Sequence, residues 1–316
     1  MKIITLNPMN KDKDVSVIIP TYNRLPMLKE ALASVFSQDF NGSIEVIVVD
    51  DYSSDGTAEF ITQQYPEVHL IKLEKNVGCP AARNQGFRVA RGKYIAPLDS
   101  DDLWEKKYLE IQINTLAQKE KSFAVSDLFF WNTIKNSKKV RLQRPDLNKY
   151  NSPLHHLLVG SFIYTPSSVV FPKKLFSEIG YFDEQFRYGS DTDFYIRSLL
   201  AGYQPIFTEF PLVIQRKHGK DQMTNVKNLK NRIRDRVSYV ENHYPQIKKQ
   251  FDIISLKRIY AEIYADYAKQ YLKRKSLLNW LKSSLNSASH SSLSYALSNM
   301  ADDLIEAIIK NKKLPE

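Results

Sequence analysis

Cysteine is nearly absent: Cys79 is the only one in 316 residues. One thiol closes no disulfide within the chain and builds no cysteine-based zinc site, so a reducing compartment, the cytoplasm, is the expected setting. Glycine is sparse as well, at ten residues, and nothing suggests low-complexity sequence. No window approaches the roughly 18 uninterrupted apolar residues of a membrane-spanning helix, and residues 1–14 lack the apolar run of a secretion signal. A chain neither exported by a visible signal nor integral to a membrane is expected. Negative charge is in deficit: 35 Asp and Glu against 45 Lys and Arg leave a net charge of +10.

The rest of the composition is globular, with 43% hydrophobic and 12% aromatic residues. A chain of this length accommodates one full α/β core and a smaller appended unit. The positive excess is concentrated, since residues 226–282 hold 14 Lys and Arg against 5 Asp and Glu, a local +9. A basic helical region can meet anionic lipid, nucleic acid or water alone. Solvated faces are the default, and peripheral contact with an anionic inner membrane surface is the sharper expectation. Nucleic acid is disfavoured, because the charge is scattered along helices and not interleaved with stacking aromatics in one stripe.

The first half of the chain alternates. Residues 15–19, 44–49, 68–73 and 94–98 are short apolar or β-branched runs, and 25–37, 55–65 and 81–90 have helical periodicity. Strands apolar on both faces, alternating with amphipathic helices, predict an open, mostly parallel α/β sheet flanked by helices. Ligands of such sheets bind beyond the carboxyl ends of the strands. Each unusual polar cluster falls there: Pro20, Thr21, Tyr22, Asn23 and Arg24 after the first run, Asp50 and Asp51 after the second, residues 76–84 after the third, and Asp99, Ser100, Asp101 and Asp102 after the fourth. Beyond residue 225 the pattern becomes long helices. Ile259, Ile263, Tyr267 and Tyr271, then Leu277, Leu278, Trp280, Leu281 and Leu285, recur at near-helical spacing and predict packed helix pairs that pack against the preceding domain, shape its cleft or form a homodimer. The expected organisation is a tail over 1–14, an α/β domain over 15–225 and a helical region over 226–316.

Side chains at i and i+2 of an extended segment point the same way, so Asp99 and Asp101 can converge on one hard divalent cation. A plain turn after a strand would use the same residues. Carboxylate pairs at neighbouring strand ends repel one another unless a cation or hydrogen-bond donors lie between them, and a nucleotide with its metal would supply both. Asp51 could accept from the N–H of a pyrimidine base. Arg83 falls near the start of a helix predicted at Pro80, a position that favours a diphosphate; a salt bridge to Asp101 or Asp102 suits the same geometry.

Four blocks, in this order and spacing, resemble glycosyltransferase family 2: Val17-Ile18-Ile19-Pro20-Thr21-Tyr22-Asn23-Arg24; Val48-Val49-Asp50-Asp51-Tyr52-Ser53-Ser54-Asp55-Gly56-Thr57; Asn76-Val77-Gly78 with Ala82-Arg83-Asn84; and Leu98-Asp99-Ser100-Asp101-Asp102. The resemblance covers about residues 15–225. It implies a GT-A fold that binds a nucleotide-sugar donor, usually UDP-linked, with Mn²⁺ or Mg²⁺, and that inverts the anomeric carbon. By this resemblance the segment from Pro20 to Arg24, with Thr21 and Asp51, holds the nucleotide, and Arg83 lies near it. Asp99 and Ser100 would lie by the ribose and metal, and Asp101 would be the main metal ligand.

A further block, Gly180-Tyr181-Phe182-Asp183-Glu184 followed by Tyr188-Gly189-Ser190-Asp191-Thr192-Asp193-Phe194 and Arg197, resembles the acceptor-side segment of the family. It implies Asp191 as general base. Asp193 is the rival, a helix cap is the structural alternative for Asp191, and Ser190 stands where relatives commonly carry Glu. Arg216-Lys217-His218 resembles the Arg-x-His of the family and implies His218 in the metal shell. The implied acceptor is a saccharide or lipid-linked saccharide of surface polysaccharide or glycoconjugate synthesis. A sugar nucleotidyltransferase would need a Gly-rich phosphate loop that Pro20 to Arg24 does not provide. A non-catalytic carbohydrate-binding or scaffold descendant stays open through Ser190.

Overall fold

The computed structural model describes residues 13–219, 222–223, 225–250, 255–273, 276–291 and 299–300. The chain divides into two compact units, residues 1–144 with 163–220, and residues 145–162 with 221–316. Residues 145–162 thus group with the C-terminal helices instead of the α/β part.

The first unit begins β1 (Lys13–Thr21), α1 (Leu25–Phe36), β2 (Ile44–Asp50), α2 (Thr57–Gln64), β3 (His69–Lys72), α3 (Cys79–Val89) and β4 (Gly92–Pro97). Next come β5 (Leu103–Trp104), α4 (Tyr108–Leu116), β6 (Ser122–Asn132) and β7 (Ser137–Arg141). After α5 (Pro153–Val159), which belongs to the second unit, β8 (Val169–Pro172), α6 (Lys173–Ile179), α7 (Ser190–Leu200) and β9 (Gln204–Lys217) complete it. The strands form one sheet in the order β3-β2-β1-β4-β8-β6-β9-β5, with β7 bonded to β6. β1 runs parallel to β2 and β4, and β2 to β3, which is the expected parallel half. The other half is mixed: β8 lies antiparallel to β4 and β6, and β5 to β9, while β6 and β9 are parallel.

Alternation along the strands sorts the core into two layers. Val15, Val17 and Ile19 of β1 face Leu28, Leu32 and Val35 of α1 and Leu109 and Leu116 of α4. On the opposite face α3 lies close to the sheet, because a Cβ on Gly86 would stand 2.5 Å from Ile18 Cγ2. Phe87, Phe171, Phe176, Phe182 and Phe194 join there with ring centroids 4.8–5.3 Å apart, locking α3, α6 and α7 together. Each such ring, fully buried, contributes about 1.5–3 kcal/mol. The carboxyl ends of β1, β2 and β4 consequently share one edge, held on both faces.

The opposite edge is closed by a buried charge. Glu45 accepts from the Ser16 hydroxyl at 2.6 Å, the Arg91 N–H at 3.0 Å and Arg91 Nε at 2.8 Å, and Ser16 Oγ accepts from Gly92 N–H at 2.8 Å.

The second unit contains α5, α8 (Leu229–Gln250), α9 (Leu256–Lys273) and α10 (Leu277–Ser289). α9 buries Ile259, Ile263, Tyr267 and Tyr271, the expected stripe. α10 reverses the expectation: Leu277, Leu278, Leu281 and Leu285 are 62, 65, 42 and 58% exposed, while Ser283, Ser284 and Ser287 are buried. The hydroxyls of Ser283 and Ser287 donate to the carbonyls of Tyr264 and Ala261 at 2.8 Å each, so small polar residues set the contact with α9. His155, which has no carboxylate near it in sequence, meets Glu262 at 2.7 Å. No helix among the described residues is long and apolar enough to cross a membrane.

Glu45→Ala should lower unfolding free energy by about 2–4 kcal/mol at neutral pH, read from denaturant midpoints, because it leaves Ser16 and Arg91 without their acceptor. Burial raises the Glu45 carboxyl, but the hydrogen bonds from Ser16 and Arg91 outweigh it and hold it below its ordinary value. The stability it contributes is present above the unfolded carboxylate pKa and is lost as pH falls through the folded one. The penalty of the substitution should therefore shrink in acid.

Candidate active site

The turn after β4 holds three carboxylates, each matched by groups from distant elements. Asp99 pairs with Arg83 of α3, and its Oδ2 lies 3.3 Å from the Thr165 hydroxyl oxygen. Asp101 Oδ2 receives Arg24 Nη1 at 2.7 Å and meets His218 Nε2 at 3.1 Å. Asp102, the deepest, accepts from the hydroxyls of Thr165 at 2.9 Å and Ser167 at 2.7 Å and from the Arg216 backbone N–H at 3.3 Å. Arg216 bonds through Nε to the Asp101 carbonyl and through Nη1 to Glu30 of α1 at 2.8 Å.

The electrostatic consequences differ between Asp101 and Asp102. Burial raises the Asp101 carboxyl, yet the His218 contact and the Arg24 charge overcome that and hold it low. Burial, followed by the charges of Asp101 and Asp99, pushes Asp102 well above the ordinary carboxylate value.

At the ends of β1 and β2, Asp51 is almost fully buried. It accepts from the N–H groups of Val77 at 2.7 Å and Gly78 at 2.9 Å, thereby fixing the turn into α3. Burial raises its carboxyl and these two bonds oppose the rise. Thr21 Oγ1 and Asp50 Oδ2 are buried with no hydrogen-bond partner among the described residues. Pro20 lies inside β1 opposite Val49, Tyr22 is exposed, and Ser100 is buried in the carboxylate turn. Asn23, at φ +49°, is a clamp: its N–H donates to Ser53 Oγ at 2.9 Å and its Oδ1 accepts from Ser54 N–H at 2.8 Å. Asp55 accepts from the Thr57 N–H and hydroxyl, although Gly56 occupies the cap position of α2.

The segment from Gly180 to Arg197 is bolted to α3. The Asn84 side chain donates to the Phe182 carbonyl at 2.8 Å and accepts from its N–H at 3.1 Å. This places Asp191 where the charges of Arg83 and Asp99 act on its carboxyl, which burial pushes upward. Asp191 is not the cap of α7, since Gly189 holds that position; it lies in the first turn and accepts from Thr192 N–H at 2.8 Å. Asp193 is committed elsewhere: it is buried and bound to Arg197 Nε at 2.8 Å, an arginine that also holds the carbonyls of Ile179 and Tyr181.

Of the residues expected to hold a metal, Asp101 and His218 meet and Asp99 turns to Arg83 and Thr165. Among the described residues no group of three or more His, Cys, Asp or Glu forms a cation site. The pair of donors suits a cation whose other ligands come from a diphosphate. Arg83 Nε and His218 Nδ1 are likewise buried without partners among the described residues. Burial pushes the Cys79 thiol up to about 11, which disfavours its thiolate form. Sequence reasoning missed Thr165 and Ser167, whose only signal is a run of small hydroxyls, Thr165-Pro166-Ser167-Ser168, ahead of a strand.

The family model described as "Glycosyl transferase family 2" matches residues 16–180, more than half of the chain. The chain belongs to glycosyltransferase family 2. Over 114 residues it is 40% identical to "Putative teichuronic acid biosynthesis glycosyltransferase TuaG" of Bacillus subtilis (strain 168), covering 35% of this chain and 44% of that protein, less than half of its length. It is 29% identical over 237 residues to "Uncharacterized glycosyltransferase RT0329" of Rickettsia typhi (strain ATCC VR-144 / Wilmington), covering 71% of this chain and 69% of that protein. S. aureus TarS 1-349 in complex with UDP-GlcNAc superposes with a TM-score of 0.56 at 16% identity, covering 87% of this chain and 91% of that one. Mannosyltransferase PcManGT from Pyrobaculum calidifontis, in complex with GDP-Man and Mn²⁺, gives 0.60 at 20% identity, covering 96% and 84%. The GT-A fold is thus shared.

Asp51→Ala should strip the Val77 and Gly78 N–H groups of their acceptor. The expected cost is about 2 kcal/mol of stability, and proteolysis should begin near residues 74–78. An unchanged denaturation midpoint and cleavage pattern would contradict the bracing role of this carboxylate.

Proposed function

We propose that the chain is an inverting glycosyltransferase that moves a sugar from a nucleotide-linked donor, UDP-linked first, to a hydroxyl of a saccharide or lipid-linked saccharide in surface-polymer or glycoconjugate synthesis. One observation carries the reading: an arginine-matched carboxylate edge lies within electrostatic reach of Asp191, a carboxylate raised by burial. A UDP-sugar in the TarS structure and a GDP-sugar in the PcManGT structure support a nucleotide-sugar donor and put both bases into the test.

In this reading the buried, unsatisfied Thr21 hydroxyl and Asp50 oxygen, with Asp51, receive the base, and Arg83 turns its unpartnered Nε to the diphosphate. Asp101 and His218 would hold Mn²⁺ or Mg²⁺, which when bound neutralises charge on the departing diphosphate. Asp191 takes the proton of the acceptor hydroxyl as its oxygen bonds to the anomeric carbon and the carbon–oxygen bond to the diphosphate breaks. With Asp193 tied to Arg197, a single base serves, and Ser190, buried beside it, adds no second charge.

Calorimetry with UDP, GDP and their sugars tests the donor site. Binding that needs Mn²⁺ and is lost in Asp101→Ala supports it, and binding of none of them would leave the scaffold reading. Asp191→Asn should keep donor affinity while turnover falls about 10²–10⁴-fold. Because burial raises the Asp191 carboxyl, wild-type kcat/KM should fall with decreasing pH at a higher pH than an ordinary carboxylate would give.

Peripheral docking at the inner face of an anionic membrane belongs to the same proposal and rests on α10. Its exposed leucines follow Lys273, Arg274 and Lys275, and residues 267–301 contain five Lys and Arg with no Asp or Glu. An apolar stripe flanked only by positive charge suits an anionic lipid interface, where each cation adds about 1 kcal/mol at most. Flotation with acidic vesicles should recover the chain at low salt and lose it in Leu278→Glu/Leu281→Glu; equal recovery of the two forms would sink the idea.

A further inference from the structure

We infer that the acceptor is anionic, a saccharide or polyol chain bearing phosphate or carboxylate groups, and that it lies along the ribbon of β6, β7 and β9. This rests on the glycosyltransferase reading and adds the chemistry of the substrate that reading leaves unnamed.

Between Asp127 and Asp146 the sequence carries Lys135, Lys138, Lys139, Arg141 and Arg144 and no acidic residue. Pairing register puts Phe130 opposite Lys139 and Gln215, Leu128 opposite Arg141, and Asn132 opposite Lys217. Cross-strand partners share a face and so do residues two apart, so Lys139, Arg141 and Lys217 stand on the same side as Phe130. All three cations are exposed. The Arg141 guanidinium lies 4.3 Å from the Tyr164 ring centroid and 5.7 Å from that of Phe130, and Lys217 Nζ lies 5.9 Å from the Phe130 ring.

These cations differ from Arg144, Arg216 and Lys138 in having no counter-charge among the described residues. Arg144 is matched by buried Asp127 at 2.7 Å, Arg216 by Glu30 at 2.8 Å, and Lys138 by Glu105 at 3.9 Å. Among the described residues no carboxylate forms an ion pair with Lys139, Arg141 or Lys217. Three like charges on one face repel one another, and the aromatic rings position them without neutralising them. A ligand with regularly placed anions would supply the neutralisation, and a guanidinium matches phosphate or carboxylate oxygens in pairs.

The face also reaches the donor edge at two points. Thr165, next to Tyr164, donates to Asp102 at 2.9 Å, and His218, next to Lys217, meets Asp101 at 3.1 Å. Gln215 Nε2 donates to the Tyr164 carbonyl at 3.2 Å and joins the two. A neutral glycan would leave the cations unmatched. Nucleic acid is less well suited, because Arg141 already lies over the Tyr164 and Phe130 rings on which bases would stack.

The test is calorimetry on the full chain with oligogalacturonate, poly(glycerol phosphate) oligomers and neutral dextran oligomers of matched length, at low and high salt. The expected result is binding of an anionic oligomer at least about tenfold tighter than dextran, weakened by salt, with the two anionic arms telling carboxylate from phosphate. Lys139→Glu/Arg141→Glu should abolish that preference, with circular-dichroism melting to confirm the fold and Lys139→Gln/Arg141→Gln used if the double reversal melts early. No preference over dextran, a preference retained in a folded variant, or tighter binding of a single-stranded oligonucleotide of equal charge would each overturn the proposal. Nucleotide titration of the wild type separates the two claims: no nucleotide binding defeats the glycosyltransferase reading, whereas nucleotide binding without an anionic preference defeats only the acceptor.

Discussion

Three carboxylates within four residues, crowded at the end of one strand, are the constraint around which the first unit is organised. Two unit charges about 5 Å apart repel by about 3 kcal/mol at the effective dielectric of a protein surface, so Asp99, Asp101 and Asp102 cannot stay together unaided. The chain answers from four directions. Arg24 comes from the turn after β1, Arg83 from α3, the hydroxyls of Thr165 and Ser167 from the segment before β8, and Arg216 with His218 from β9. The sheet order makes this possible, because β8 lies beside β4 and brings Thr165 and Ser167 to the carboxylate turn.

The same logic sorts the arginines of this unit. Arg144 and Arg197 hold buried aspartates for structural ends, the one at the irregular pairing of β6 with β9 and the other along α7. Arg24 and Arg83 instead hold carboxylates at an open strand edge, beside buried polar atoms that have no partner of their own. Unsatisfied buried donors and acceptors are costly in a folded protein, and four of them, on Thr21, Asp50, Arg83 and His218, lie on residues at this edge.

How far the sequence discloses this depends on the range of the interactions involved. The parallel half is legible, since strands such as β1 and β2 are apolar on both faces and break into polar residues at their carboxyl ends. The mixed half is not, because β8 pairs with strands distant in the chain and only four residues long it carries no period of its own. Periodicity finds the stripe of leucines on α10 but cannot tell which side of a helix its neighbour takes, and here the serines take it. Asn23 illustrates a subtler limit: a motif marks it as belonging to the site, yet its contacts tie two loops together. His155 finds Glu262, 107 residues away, a distance at which local spacing says nothing.

The ion pair of Arg24 with Asp101 has a consequence for how the protein comes into being. A carboxylate cluster whose neutralising charge is built into the polypeptide does not wait for an external cation to become compatible with a compact state. Synthesis and maturation on the one hand, and loading with small molecules on the other, are then separate events. Compaction of this chain differs in that respect from domains whose folding free energy is the metal-binding free energy itself.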